Sequence, residues 1–179
     1  GPLLSRGYYN DPDFGLLAAG HLLRGGAKVG ESVQLKVARD GTILTIVPDK
    51  KFRVSCTNVG PGGRFTQYFS TEINPETYEK EIAAARTFVY YEDIAPLMEK
   101  GLIKGGTLEA AVVIRGDTLL SKQPLRFADE FVRHKILDIV GDLMLSGKRI
   151  LGHVIAVRPG HGPNTELARA VVKQRSEER

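Results

Sequence analysis

The sequence contains a single cysteine, Cys56, so no internal disulfide can form. A lack of disulfides is typical of proteins in a reducing compartment, and we expect a cytoplasmic location. No apolar run reaches the roughly 18 residues that a helix needs to cross a bilayer. The N-terminus has no signal-peptide pattern and no initiator methionine, so we expect a fragment or a processed form of a longer protein.

The charge distribution gives little indication of a nucleic-acid partner. The net charge is +4, and the basic residues are scattered except at Lys50–Lys51 and around Lys173 and Arg175. A nucleic-acid-binding domain normally concentrates basic residues on one face, so only the net charge supports that class. The length of 179 residues is typical of one domain with a full hydrophobic core.

Strand and helix patterns follow one another without an internal repeat, which predicts an α+β fold. In chain order they predict a helix at 13–24, strands at 33–38 and 42–47, strands at 51–59 and 64–73, a helix from 74 to 86, a strand, helix and strand within 87–114, a helix at 129–146, a strand at 149–158, a helix at 163–174 and a frayed tail at 175–179. The glycine-rich loop at 60–63 superficially resembles a phosphate cradle. Because it opens no helix, we interpret it as a hairpin turn.

The helix predicted at 129–146 carries an unusual polar quadrant. His134, Asp138 and Asp142 are spaced four residues apart and share one side of a helix that is otherwise mostly apolar. An imidazole and a carboxylate one turn apart can bind one divalent metal, although catalytic zinc normally has three protein ligands. The alternative is a buried network in which the histidine and the aspartate bind each other and the neighbouring backbone.

His161 lies in the segment "RPGH", where the most strand-like run gives way to the last helix. A loop at a strand end is a usual place for a catalytic side chain. His161 is therefore a candidate general acid or base, and Asp142 would fix its tautomer and favour its cation. The alternative is a loop histidine in water. His153, inside a strand, and His21, near the N-terminus, are weaker candidates.

Four segments together resemble the second domain of UDP-3-O-acyl-N-acetylglucosamine deacetylase, a zinc-dependent enzyme of lipid A biosynthesis. They are "ARTFVYYEDI", "GLIKGGTLEAAVVI", "LRFADEFVRHKILDIVGDL" and "GHVIAVRPGH". The resemblance implies half of a two-domain β-α-α-β sandwich, in which one sheet packs on helices. It also implies a small βαβ insertion at about residues 87–114, which in the family forms a hydrophobic passage for the acyl chain.

The resemblance implies a role for each matching residue. His134 and Asp138 match two zinc ligands, so the implied cofactor is Zn²⁺. Asp142 matches the aspartate that orients the catalytic histidine. His161 matches that histidine, the acid for the leaving amine, and Lys135 matches a lysine that assists substrate binding and charge stabilisation.

Three further residues match positions near the substrate. Thr87 matches a threonine that helps to stabilise the oxyanion, Phe88 an aromatic at the substrate site, and Arg158 a basic residue near the nucleotide diphosphate. The chain departs from the family pattern at Val89, where glycine is common, and at Pro159, where serine is common. Neither change removes a functional group.

The family's third zinc ligand and general base are an adjacent Glu-His pair in its first domain, and this sequence contains no such pair. We therefore interpret residues 1–32 as a linker helix and entry segment from a missing first domain, residues 33–174 as the second deacetylase domain, and residues 175–179 as a tail. The missing domain is the expected partner that supplies the ligand and the base. His21 is a weak substitute ligand, and this chain alone is expected to be inactive.

The sequence therefore predicts a zinc-dependent hydrolase that removes the acetyl group from a UDP-linked, acylated glucosamine, with no nucleic-acid partner and no transmembrane segment. The alternative is a catalytically silent module of the same fold that binds or regulates nucleotide sugars. An upstream Glu-His motif would distinguish the two.

Overall fold

The computed structural model describes residues 26–28, 35–39, 41–101 and 111–177. The predicted helix at 13–24, His21 and residues 102–110 of the predicted insertion lie outside these residues. The strands are β1 (Gly26–Lys28), β2 (Leu35–Arg39), β3 (Thr42–Pro48), β4 (Phe52–Asn58), β5 (Gln67–Glu72), β6 (Thr87–Tyr90), β7 (Ala111–Arg115), β8 (Thr118–Leu120) and β9 (Arg149–Val157). The helices are α1 (Pro75–Thr77, continued by the π-helical turn Tyr78–Ile82), α2 (Tyr91–Glu99), α3 (Glu130–Met144) and α4 (His161–Glu177).

The larger sheet has the strand order β2-β3-β9-β4-β5, with β1 paired to the first residues of β9. β9 runs antiparallel to β3 and parallel to β4, so the last strand of the chain lies in the middle of the sheet. Both predicted hairpins are confirmed, as β2–β3 and β4–β5. In the first hairpin Gly41 has a φ of +76°, a left-handed conformation that favours glycine.

The helices α3 and α4 pack against each other and against one face of this sheet. Val54 and Val154 on the sheet belong to the same buried core as Ile136 and Val140 on α3 and Leu167 on α4. Full burial of such an aliphatic side chain is worth about 1.5–3 kcal/mol relative to exposure. The α+β class predicted from the sequence is confirmed, with one sheet face covered by helices.

The predicted strand–helix–strand insertion forms a second, smaller sheet with the order β6-β7-β8. β6 and β7 are parallel, with α2 between them in the chain, as a βαβ unit requires. β8 adds an antiparallel partner to β7 across a turn at Gly116 and Asp117. The small sheet packs onto the start of α3 through Val112, Ile114 and Phe131. The insertion is therefore attached to the helix that carries the candidate metal ligands.

Several helix ends differ from the predicted ones. The capping box at Asn74 is present, since Thr77 N donates to Asn74 Oδ1 at 3.0 Å. The helix nevertheless ends at Ile82 and not at Arg86, because the Arg86 backbone N–H binds a side chain of α3 instead. α4 begins at His161, two residues before the predicted start, and continues to Glu177, into the predicted tail. None of the described helices has the length and apolar character needed to cross a membrane.

Candidate active site

His134 is held in the interior by a backbone carbonyl. Its side chain is 3% exposed, and Nδ1 lies 3.2 Å from the Ala85 carbonyl oxygen. Because a carbonyl only accepts, this contact places the proton on Nδ1 and the lone pair on Nε2. Burial lowers the pKa of His134, so the ring is neutral, which is the form that binds metal ions.

Asp138 lies one helical turn further along α3 and presents one carboxylate oxygen to His134. The Oδ1 atom is 3.4 Å from His134 Nε2, and Oδ2 accepts from Lys135 Nζ at 3.2 Å. Among the described residues Oδ1 has no hydrogen-bond partner, although it is buried. A buried acceptor without a partner is costly, and such an atom is often a ligand for an ion.

The pair fits part of a zinc site. Two ligand atoms about 2.0–2.2 Å from a tetrahedral metal lie roughly 3.4 Å apart, and the Nε2–Oδ1 separation is 3.4 Å. A neutral imidazole and a carboxylate are both normal zinc ligands. However, the described residues contain no group of three or more His, Cys, Asp or Glu side chains that could hold a metal. The described residues thus offer at most two of the three ligands that a catalytic zinc would need, and the roles of His134 and Asp138 stay predictions.

A buried ion pair fixes the start of α3 relative to the carbonyl that binds His134. Glu130 Oε1 accepts from the backbone N–H and the Nε of Arg86, at 2.9 and 2.8 Å, and both side chains are almost completely buried. Glu130 Oε2 accepts from Arg86 Nη2 and from the Arg126 backbone. Arg86 also donates to the Pro124 carbonyl. This ion pair joins both ends of the insertion to α3, four residues before His134.

His161 and Asp142 form a second pair, between the first turn of α4 and the end of α3. His161 Nδ1 lies 2.8 Å from Asp142 Oδ2, which confirms the contact predicted from the sequence. The hydrogen bond to Asp142 raises the pKa of His161. The cation is therefore favoured more than in an ordinary histidine, which suits a general acid. Asn164 Nδ2 donates to the same carboxylate oxygen at 2.9 Å.

Two residues predicted to contact substrate, Phe88 and Lys135, lie next to each other beside His134. The Phe88 ring stacks at 4.7 Å on Phe131, lies 6.4 Å from the His134 ring and accepts Lys135 Nζ over its face at 5.2 Å. Thr87 is the first residue of β6 and precedes Phe88 in the chain. Phe88 and Lys135 therefore lie beside the candidate metal ligands. The roles of Thr87, Phe88 and Lys135 towards a substrate stay predictions.

Arg158 lies at the end of β9, three residues before His161. Its backbone has a φ of +51°, which is uncommon for a residue other than glycine. This conformation is held by hydrogen bonds from Thr42 Oγ1 to the Arg158 carbonyl, at 2.8 Å, and from the Arg158 N–H to the Thr57 carbonyl, at 2.9 Å. The exposed guanidinium packs over Gly41. Its predicted role near a diphosphate stays a prediction.

An apolar cavity of about 330 Å³ lies in the insertion. It is lined by Tyr91, Ile94, Met98, Val113, Leu120, Ser121 and Lys122. Ile94 and Val113 belong to the insertion for which the resemblance implies a passage. Phe88, also in the insertion, packs instead against Phe131 on the other side of the small sheet, because Phe88 pairs with Val112 and successive side chains of a strand point to opposite faces.

Two other titratable residues, Cys56 and His153, have structural roles. Cys56 is fully buried within electrostatic range of Lys135 and Asp138, and burial raises the pKa of its thiol to about 12. The thiolate is therefore not formed near neutral pH, which excludes Cys56 as a nucleophile. His153 points away from the helices on β9, and its Nε2 lies 2.7 Å from Ser55 Oγ.

Comparison with known proteins gives the family. The model of the UDP-3-O-acyl N-acetylglycosamine deacetylase family matches residues 24–173. The chain belongs to this family. Among similar deacetylases, those of Chlamydia muridarum and Chlamydia trachomatis serovar L2 are 45% and 46% identical over 137 residues, which is 74% of this chain and 47% of each relative. The UDP-3-O-acyl-N-acetylglucosamine deacetylase of Chlamydia pneumoniae is 45% identical over 132 residues, 73% of this chain and 47% of the relative.

The chain thus spans about half the length of the deacetylases that it matches. Two residues that shape the site within this deacetylase half were not predicted from the sequence. The position of Asn164 could have indicated its role, because Asn164 follows His161 by three residues and so lies on the same face of a helix. No local pattern could have indicated the role of Glu130, because its partner Arg86 is 44 residues away in the chain.

Proposed function

We propose that this chain is the second half of a zinc-dependent amidohydrolase that removes the acetyl group from UDP-3-O-acyl-N-acetylglucosamine, a reaction of lipid A biosynthesis in the cytoplasm. The observation that carries the proposal is the buried His134–Asp138 pair, with an unpartnered carboxylate oxygen, on the same helix as Asp142, which binds His161. The proposal includes a first half that supplies the third ligand and the general base.

The residues of α3 would act together with a metal ion that His134 and Asp138 would hold. A Zn²⁺ ion at such a position supplies Lewis acidity, which polarises a carbonyl group and lowers the pKa of water. Asp138 would hold the metal through Oδ1, since Lys135 donates to Oδ2. The ammonium group of Lys135 lies beside the same carboxylate, where it favours negative charge on a reacting carbonyl oxygen.

His161 is the proton donor of the proposed reaction. Cleavage of an amide releases an amine, which leaves only if its nitrogen is protonated. Asp142 accepts from Nδ1 and stabilises the imidazolium, so Nε2 is the atom that gives its proton to the leaving nitrogen. The exposed position of His161 allows a substrate to reach it.

The apolar cavity of the insertion supports the proposal that the substrate carries an acyl chain. Its lining includes Ile94, Met98 and Val113, and an aliphatic chain is the substrate part that such a surface would bind. A photoreactive acyl-chain analogue should label α2 or β7. Labelling confined to the larger sheet would contradict this part of the proposal.

The experiment is to combine this chain with the first half of a chlamydial relative, fused or in trans, and to measure zinc content and deacetylation. The chain alone should bind zinc weakly and turn over little substrate, and the combination should gain both properties together. A matched control carries His153→Ala, which removes a histidine outside the site. Binding of the UDP-sugar without turnover by the combination would favour a silent binding module, and turnover by the chain alone would contradict the missing half.

A further inference from the structure

The first turn of α4 contains a second side chain that binds the Asp142 carboxylate. Asn164 Nδ2 donates to Asp142 Oδ2 at 2.9 Å, and His161 Nδ1 approaches the same oxygen at 2.8 Å. His161 and Asn164 are three residues apart and therefore lie on the same face of α4. One oxygen of Asp142 thus connects both residues to α3.

These three residues lead from the surface into the core. The side chain of His161 is 62% exposed, that of Asp142 is 15% exposed, and Asn164 is completely buried. An exposed histidine side chain has little packing of its own to restrict its rotamers. The position of His161 therefore depends on its hydrogen bond to Asp142, and Asp142 in turn is bound by a residue that the core holds.

The orientation of the Asn164 amide leaves a polar atom without a partner. Its Oδ1 is buried and accepts no hydrogen bond from any of the described residues. Rotating the amide by about 180° would point Oδ1 at the Asp142 carboxylate, and neither oxygen can donate. The carboxylate therefore fixes the amide orientation, and the chain tolerates a destabilising buried acceptor to keep the contact.

We propose that Asn164 is a positioning residue that holds the Asp142 carboxylate in place for His161. The catalytic consequence rests on the proposed function, whereas the positioning itself does not. With Asp142 held, the neutral His161 ring keeps its proton on Nδ1, and Nε2 remains the nitrogen that exchanges a proton with a substrate. Without Asn164, Asp142 has other rotamers available and the imidazole behaves as an exposed side chain in water.

The test compares three variants of the full chain. Asn164→Ala removes the donor, and Asn164→Asp keeps the shape while replacing the donor by a second acceptor. Thr165→Ala is the matched control, since Thr165 lies in the same turn but its Oγ1 donates only to the His161 and Gly162 carbonyls. The tautomer of His161 is measured by long-range ¹H–¹⁵N NMR at a pH where the ring is neutral, and unfolding is followed by circular dichroism.

In the chain itself and in Thr165→Ala, we expect the neutral ring to carry its proton on Nδ1. In Asn164→Ala and Asn164→Asp, the tautomer population should move towards that of a solvent-exposed histidine. In the enzyme restored with its first half, kcat should fall about 10-fold while KM and zinc content stay unchanged, the size expected for removal of an orienting partner.

An unchanged His161 tautomer in either folded Asn164 variant would overturn the proposal, whatever happens to the melting temperature, and would leave Asn164 a helix-packing residue. If Asn164→Ala does not fold, the isosteric Asn164→Asp decides. Because the NMR measurement needs no turnover, an inactive restored enzyme would count against the proposed function and not against the positioning role.

Discussion

The two parts of the site, the His134–Asp138 pair and the His161–Asp142 pair, differ in burial and completeness. The side chains of His134 and Asp138 are each 3% exposed, whereas those of His161 and Asp142 are 62% and 15% exposed. The first pair comes from one helix and would supply two of the three ligands that catalytic zinc normally has. The second pair joins two helices and has its hydrogen-bond partners within this chain.

This difference indicates which properties the chain can have without a first half. A proton donor needs a hydrogen-bonded imidazole and access to substrate, and His161 has both. A metal site needs a third ligand that the described residues do not supply. The chain should therefore show the titration of His161 in isolation, whereas metal affinity should depend on the first half.

The largest expected effect separates the two pairs directly. In the restored enzyme, His134→Ala or Asp138→Ala should abolish zinc retention and reduce turnover to background, because one remaining ligand on α3 cannot hold the ion. Zinc is measured by elemental analysis of the purified protein after dialysis. His153→Ala should keep both properties. A His134→Ala enzyme that retains stoichiometric zinc would refute the ligand assignment.

The next effect concerns the exposed pair. His161→Ala in the restored enzyme should keep its zinc and lose about 10²- to 10⁴-fold in kcat, the usual contribution of a general acid. Parallel zinc and rate measurements on the same preparation test this. Loss of zinc together with activity would mean that His161 belongs to the metal site, and the distinction between the two pairs would be wrong.

A third prediction concerns the Arg86–Glu130 ion pair, which fixes the start of α3 relative to the carbonyl that binds His134. Arg86→Ala leaves the Glu130 carboxylate buried without its cation, which should lower the free energy of unfolding by about 3–5 kcal/mol. Urea unfolding measures the change. The double variant Arg86→Met/Glu130→Leu should recover part of the loss, since it leaves no buried charge.

Lys80→Ala, which removes an exposed pair with Glu76, is the matched control and should change stability far less. A loss in Arg86→Ala no larger than that in Lys80→Ala would show that the buried pair contributes little to the fold.

The features that the sequence predicted are local, whereas those it did not predict depend on residues far apart in the chain. The His134, Asp138 and Asp142 quadrant follows from helical periodicity, and the β2–β3 hairpin follows from its turn residues, because both signals are local. The helix after Asn74 ends early because Arg86 binds Glu130, which lies 44 residues further along the chain. No local sequence pattern could predict a contact over that separation.

The outcome at the candidate site was similar. The resemblance and the spacing together named both ends of the His161–Asp142 contact, which the structure confirms. The alternative of a buried network anticipated a backbone partner for His134, but not that the partner is the Ala85 carbonyl, because a backbone group carries no residue-specific signal. The third ligand stays a prediction about the first half.

The smallest expected effect is on the pH dependence of stability. Asp142 raises the pKa of His161 in the folded chain above its unfolded value of about 6.5. A raised pKa means that the folded state binds the proton more tightly, so the contact stabilises the fold below about pH 6.5 and this contribution is lost as the pH rises through the folded pKa. Because His161 is 62% exposed, solvent screening limits the contribution to less than about 1 kcal/mol.

Asp142→Asn should therefore reduce stability more near pH 6 than near pH 9, and NMR titration should show the pKa of His161 moving down towards its ordinary value. The comparison uses urea unfolding of both proteins at the two pH values. In the restored enzyme the alkaline limb of the rate profile should move to lower pH for the same reason, since the proton donor is lost earlier. A His161 titration that is identical in both proteins would show that the carboxylate does not hold the imidazolium, and His161 would then differ from an ordinary surface histidine only in position.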